Sequence, residues 1–187
     1  MKEKFEIIRP YNDAEIAPAM QRVINNPLFI NIVNYLYDDK KYEEVIDMLK
    51  NIDSIYMFQK IFSDYAVKKI LSKTASKFTY GGIENLDNKK AYLFIANHRD
   101  IVLDSAIMQI VLFGNNHKTS QITFGSNLMS NEFIIDLGKM NKMFTLYRGG
   151  NRNEQYQNAL LHSAYINNTI REKKESVWIA QKDGRTK

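Results

Sequence analysis

The sequence predicts an α/β protein in which a helical N-terminal layer precedes an incomplete, mixed or mostly parallel sheet flanked by helices. Residues 12–76 carry apolar side chains at helical spacing. After residue 80, short apolar runs alternate with longer helical patterns, as they do in α/β folds. A length of 187 residues allows a helical region, 1–78, followed by an α/β region, 79–187.

Polar capping residues predict where the N-terminal helices begin. Asn12 followed by Glu15 is typical of a capping box. The Tyr and Phe side chains of these helices recur at helical spacing, which favours packing between helices over a lipid-facing surface. The predicted helix starts are Asn12, Asn26 (before Pro27), Asp39, and either Asp53 or Ser54.

Four short apolar runs predict buried strands of a parallel sheet. The predicted strands are Ala91–Ala96, Gln121–Phe124, Met143–Tyr147 and Val177–Ala180. Helical patterns at 104–113, 131–139 and 153–173 lie between them, so each strand can connect to the next through a helix.

Composition limits the possible functions. The formal net charge of +5 indicates an acidic partner, such as an anionic membrane surface, a phosphorylated substrate or nucleic acid. The absence of cysteine excludes a thiolate nucleophile, and no His, Asp or Glu spacing indicates a metal site. No uninterrupted apolar stretch reaches the length of about 18 residues typical of a membrane span, and the N-terminus lacks the apolar core of a signal peptide. The absence of cysteine fits the predicted cytoplasmic location.

The segment that follows the first predicted strand contains the strongest candidate for chemistry. His98 lies where parallel strands of α/β sheets place ligands. A histidine there can accept a proton from an alcohol if a carboxylate orients its other ring nitrogen. Asp100 and Asp104 are both close enough in sequence to do so, and the alternative is a His-Asp pair that only caps the next helix.

Two further segments follow predicted strands. Arg148 precedes Gly149 and Gly150, and an arginine in this setting can bind a phosphate with two parallel hydrogen bonds. Val177–Ala180 is followed by Asp183-Gly184-Arg185, which taken alone is an ordinary turn.

In this order, the three segments resemble the conserved blocks of the glycerolipid acyltransferases, which include the glycerol-3-phosphate and lysophosphatidic acid acyltransferases. Ile83-Glu84-Asn85-Leu86, the apolar strand and Asn97-His98 resemble the start of that family's first block. The family has four residues between the His and the Asp, whereas five separate His98 from Asp104. Asp104 is favoured over Asp100 as the orienting carboxylate, because the apolar residues before it resemble the family's usual sequence.

The resemblance covers roughly 83–187 and implies an acyltransferase-like fold that is cut short inside the third block. It implies that His98 is the catalytic base and that Arg148, with Arg99 and Arg185, binds a phosphate, with Asp183 and Gly184 in the same third block. The implied acceptor is a glycerophosphate-type alcohol in phospholipid synthesis, and the donor is acyl-CoA or acyl-carrier protein. No cofactor and no nucleic acid are expected, and the family allows a peripheral contact with the inner face of the membrane.

Other functions are weaker alternatives. A non-catalytic lipid- or nucleic-acid-binding protein would use the basic charge and the aromatic helices, and it would not explain the three ordered segments. A hydrolase using the same His-Asp pair lacks a nucleophile elbow. His98-Arg99-Asp100 matches part of the protein-kinase catalytic loop, but the metal-binding Asn of that loop is replaced by Ser105.

Overall fold

The computed structural model describes residues 2–97 and 99–181, and the chain forms two compact units. The sheet unit comprises Met1–Arg9, Thr79–Met129 and Met143–Lys187. The helical unit comprises Pro10–Phe78 and Ser130–Lys142.

Helices and short parallel strands account for most of the described chain. The α-helices are α1 (Lys2–Ile8), α2 (Asp13–Ile24), α3 (Pro27–Leu36), α4 (Tyr42–Lys50), α5 (Ile55–Phe58), α6 (Asp64–Thr74), α7 (Leu103–Gly114), α8 (Glu132–Met140) and α9 (Arg152–Arg171). The strands are β1 (Leu93–Ala96), β2 (Gln121–Gly125), β3 (Met143–Leu146) and β4 (Val177–Ala180).

The described strands form one parallel sheet in the order β1-β4-β2-β3. β4, the last of the described strands along the chain, therefore lies between β1 and β2. The apolar runs that predicted the strands fit this arrangement, because the central strands β2 and β4 contain only buried and half-buried residues. β1 lies at one side of the sheet and alternates exposed with half-buried residues. The predicted fold class is confirmed.

The core of the sheet unit forms where α1 and α9 pack on the sheet. Ile8, Phe144, Tyr165 and Val177 are each fully buried there. The ring of Tyr165 packs against Phe144 and, edge-on, against Phe5, with centroids 4.9 and 5.4 Å apart. Burial of an aliphatic or aromatic side chain of this kind contributes about 1.5–3 kcal/mol. α1, which was not predicted from the sequence, therefore belongs to the sheet unit.

The helical unit packs α2 to α6 and α8 around a core of its own. Phe58 and Phe62 are buried in it, and Tyr65 stacks on Tyr37 with centroids 4.5 Å apart. These aromatic residues pack helices together, as the sequence indicated. Between α5 and α6 the helix widens into a π-helical segment, Gln59–Ser63, in which the amide of Asp64 donates to the carbonyl of Gln59.

A buried carboxylate joins α2 to α8 within the helical unit. The side chain of Asp136 is only 1% exposed. Arg22 donates to it from Nε at 2.9 Å and Nη2 at 2.7 Å, and the hydroxyl of Tyr11 donates to Oδ1 at 2.6 Å. Burial and the hydrogen bond to Asp136 raise the pKa of Tyr11 to about 12. The guanidinium and the phenol together satisfy a charge that would otherwise be costly to bury.

Most predicted helix starts agree with the structure. Asn12 N donates to Glu15 Oε2 at 2.8 Å, and Asn26 Oδ1 accepts from Leu28 N at 3.0 Å. Ser54, rather than Asp53, is the N-cap of α5. The start predicted at Asp39 is wrong, because the chain turns there and α4 begins only at Tyr42.

The division into units differs from the two predicted ranges at two helices. Both divisions change at residue 79, but α1 belongs to the sheet unit and α8 to the helical unit. Whether 1–78 and 79–187 are separate domains stays a prediction.

Candidate active site at the carboxyl ends of the strands

The carboxyl ends of the four described strands meet at one edge of the sheet. Asn97 follows β1, Ser126 follows β2, Tyr147 and Arg148 follow β3, and Gln181 follows β4. This edge is where parallel α/β sheets bind ligands. His98 is adjacent to Asn97 in the chain and lies outside the described residues.

Two aspartates organise the turn between β1 and α7. Asp100 Oδ1 accepts from Val102 N and Leu103 N, both at 2.8 Å, and so caps the start of α7. Asp104, in the first turn of α7, reaches back, and its Oδ2 accepts from Arg99 N at 2.6 Å and Asp100 N at 2.9 Å. Asp104 therefore holds the backbone that directly follows position 98, whereas Asp100 holds the helix start. The helix N-terminus also favours two negative charges here.

Arg148 lies against the end of the neighbouring strand. A Cβ added to Gly125, the last residue of β2, would lie 3.0 Å from Arg148 Nε and 3.3 Å from its Cδ. Arg148 N also donates to Ser126 Oγ at 3.1 Å. Because β2 lies between β3 and β4, the arginine side chain extends from β3 across the sheet edge in the direction of β1.

The segment after Arg148 requires two glycines. Gly149 and Gly150 have φ values of +85° and +88°, in the left-handed region that side chains other than glycine rarely adopt. Asn151 then caps α9, with its Oδ1 accepting from Asn153 N and Glu154 N, both at 3.0 Å. A Cβ on Gly150 would collide with Glu154, so the glycine also allows this cap to form.

His162 of α9 supports the backbone next to Arg148. Its side chain is buried, and its Nε2 accepts a hydrogen bond from Tyr147 N at 3.1 Å. Only a neutral imidazole offers this acceptor. Burial lowers the pKa of His162 below its ordinary value of 6.5, which keeps the ring neutral near pH 7. His162 therefore positions the end of β3.

We expect His162 to make the protein less stable as the pH falls. Because its pKa is lower in the folded chain than in the unfolded chain, its contribution to stability is complete above about pH 6.5. That contribution is lost as the pH falls towards the folded-state pKa, with a slope of up to about 1.4 kcal/mol per pH unit.

Urea unfolding of the full chain at a series of pH values measures this slope. His162→Gln keeps a hydrogen-bond acceptor but cannot take up a proton, so its free energy of unfolding should depend less on pH than that of the wild type. Equal slopes in the two proteins would contradict the assignment.

The structure brings together only part of the predicted site. Asp104 contacts the backbone of Arg99 and Asp100. Arg148 lies at β3, so β4 and β2 separate it from β1, and three strand spacings of about 4.8 Å amount to roughly 14 Å. The third predicted segment, Asp183, Gly184 and Arg185, lies outside the described residues. The catalytic and binding roles of all these residues stay predictions.

Two features of this edge were not predicted from the sequence. Gly125-Ser126-Asn127 follows an apolar strand, just as Asn97 does, so the same signal could have identified it. His162 gives no such signal, because its partner is a backbone amide fifteen residues away.

The described residues contain no helix long and apolar enough to cross a membrane. Within 2–97 and 99–181, no three His, Asp or Glu side chains are grouped as metal ligands.

A family model described as "Acyltransferase" matches residues 77–182, which is more than half of the chain and includes β1 to β4. No curated protein matches the chain.

Proposed function

Because this chain belongs to the acyltransferase family, we propose that it transfers a fatty acyl group from acyl-CoA or acyl-carrier protein to the hydroxyl of a glycerophosphate-type acceptor. The observation that carries the proposal is the placement of Asn97 and Arg148 at the carboxyl ends of strands of one sheet, inside the matched range. Asn97 directly precedes His98, the candidate base, and Arg148 supplies a cation for the acceptor's phosphate.

In the proposed reaction, His98 removes the proton from the acceptor hydroxyl as its oxygen attacks the carbonyl carbon of the thioester. The carbon–sulfur bond then breaks, and His98 returns the proton to the sulfur, which leaves as a thiol. No acyl group becomes attached to the protein. Asp104 is the proposed orienting carboxylate, which its contact with the backbone after position 98 supports.

The proposed role of Arg148 is to bind the acceptor's phosphate. A planar guanidinium can donate two parallel hydrogen bonds to phosphate oxygens. The direction of the side chain over Gly125 supports this role, because it shortens the distance from the arginine to β1. The phosphate would then fix the position of the acceptor hydroxyl, which lowers the entropic part of the barrier.

The test compares acceptors with and without a phosphate. The full chain, its Arg148→Gln variant and a matched control, Arg152→Gln, are assayed with palmitoyl-CoA and palmitoyl-acyl-carrier protein as donors. We expect Arg148→Gln to raise the KM for glycerol 3-phosphate between about tenfold and 10²-fold, since hydrogen bonds to charged groups contribute about 1.5–3 kcal/mol. The rate with glycerol should be unchanged.

Arg152 is exposed, begins α9 and carries the same charge, so its variant controls for the change in net charge. Equal KM values for the two variants would remove Arg148 from the phosphate site. If the wild type transferred acyl groups to neither glycerol 3-phosphate nor lysophosphatidic acid, the proposed acceptor class would be wrong.

A further inference from the structure

A basic cavity lies at the opposite end of the strands from the candidate active site. Its volume is about 100 Å³. Lys89, Lys90, Lys118 and Lys174 line it, and Tyr92 and Ser176, which directly precede β1 and β4, form part of its wall. Every lining residue belongs to the sheet unit.

The charges around the basic cavity are poorly compensated. No Asp or Glu occurs among its described lining residues. Lys90 Nζ is 3.8 Å from the nearest carboxylate oxygen of Asp87, and in the part of the chain that the structure describes Lys89, Lys118 and Lys174 make no ion pair. By contrast, Lys69 pairs with Asp38 at 2.6 Å in the helical unit. Four lysine residues around one cavity, with no acidic residue in its described lining, give it a positive potential that favours an anion.

The backbone at Lys174 is also unusual. Its φ is +55°, a left-handed conformation that residues other than glycine rarely adopt, and it lies three residues after the end of α9. Holding a lysine in this conformation costs of the order of 1 kcal/mol or more. Lys174 is at the same time one of the four lysines that line the basic cavity.

Two hydroxyl groups also lie in the wall, whose other residues are Leu86, Asn88, Phe94, Leu112 and His117. Ser176 Oγ accepts from Tyr92 N at 3.0 Å, and Tyr92 Oη accepts from Asp87 N at 2.7 Å. Each oxygen acts as acceptor in these bonds, so each hydroxyl hydrogen can be donated to a ligand. The basic cavity is thus lined by four lysine residues and two hydroxyl groups, residue types that can donate to the oxygen atoms of an anion.

We propose that the basic cavity binds the phosphate group of inorganic phosphate or of a phosphate monoester. Its volume lies well below the roughly 300–1,000 Å³ of sites that enclose whole drug-sized ligands, so it accommodates one phosphate group. Lysine binds phosphate as a point charge, and four lysines can neutralise a dianion. This site is separate from the one proposed for the acceptor at Arg148, and it does not depend on the acyl-transfer proposal.

The experiment measures binding of inorganic phosphate and methyl phosphate to the full chain by isothermal titration calorimetry at constant ionic strength. We expect saturable binding to the wild type and a dissociation constant at least about tenfold higher in Lys118→Gln/Lys174→Gln. The control Lys40→Gln/Lys41→Gln loses the same charge at exposed positions and should bind as the wild type does.

The single variant Lys174→Gly separates binding from folding. Glycine relieves the left-handed backbone, so this variant should bind phosphate more weakly while its melting temperature stays equal or rises. Similar affinities for both ligands would indicate a monoester, and tighter binding of inorganic phosphate would indicate the free ion.

Absence of saturable binding to the wild type would overturn the proposal. So would unchanged affinity in the cavity variants, or loss of binding in Arg148→Gln alone, which would assign the phosphate to the other end of the sheet.

Discussion

Replacing His98 with alanine should lower kcat for acyl transfer to glycerol 3-phosphate by about 10²–10⁴-fold, the range that general acid–base catalysis contributes. The physical reason is that the acceptor hydroxyl would have to lose its proton to water, and the thiolate would have to leave without a proton donor. The KM for the acceptor should change little, because this substitution leaves the proposed phosphate contact of Arg148 in place. Steady-state kinetics with the full chain measure both parameters.

Variants of the two aspartates test which carboxylate orients the base. Asp104→Asn should lower kcat strongly, because the amide cannot stabilise a protonated imidazole. Asp100→Asn should affect α7 more than the chemistry, since Asp100 caps that helix. Circular dichroism and the melting temperature control for folding in each variant. Full activity in His98→Ala would contradict the mechanism, and equal kinetic losses in both aspartate variants would contradict the assignment of Asp104.

The second large expected effect is a loss of stability when the buried carboxylate of Asp136 loses its cation. Arg22→Met should lower the free energy of unfolding by about 3–5 kcal/mol, because it leaves the carboxylate of Asp136 buried without its cation. Urea unfolding followed by far-UV circular dichroism reports on this change, since the helical unit contains no tryptophan.

Glu132→Gln is the matched control for Arg22→Met. Glu132 also lies near Arg22, at 3.4 Å, but its side chain is 76% exposed. Its removal should cost less than about 1 kcal/mol, as for other exposed ion pairs. Similar losses in the two variants would mean that Asp136 does not depend on the guanidinium.

The sequence predicted the elements whose signals are local. Val177–Ala180 is a continuous apolar run, and it forms a central strand with the predicted bounds. Asn12 and Asn26 carry their own capping groups, so the helix starts could be identified without tertiary information. Asp39 has the same chemical character but lies in a turn.

Features that depend on partners distant in the chain could not be predicted. The packing of Arg148 against Gly125 requires β2 to pair with β3 in the observed register, where Gly125 is opposite Leu146. The ion pair of Arg22 with Asp136 joins residues 114 positions apart. Nothing in the sequence indicates that Arg148 contacts Gly125 or that Arg22 pairs with Asp136.

The π-helical segment Gln59–Ser63 is a place where related chains could gain or lose one residue. One extra residue in an α-helix rotates every later side chain by about 100°, and a π-helical segment absorbs such a residue locally. Deleting one residue there would let α5 and α6 continue as a single regular helix while Tyr65 still faces Tyr37. We therefore expect an alignment of relatives to place single-residue insertions and deletions in this segment. Relatives whose helical units vary in length only outside this segment would contradict the expectation.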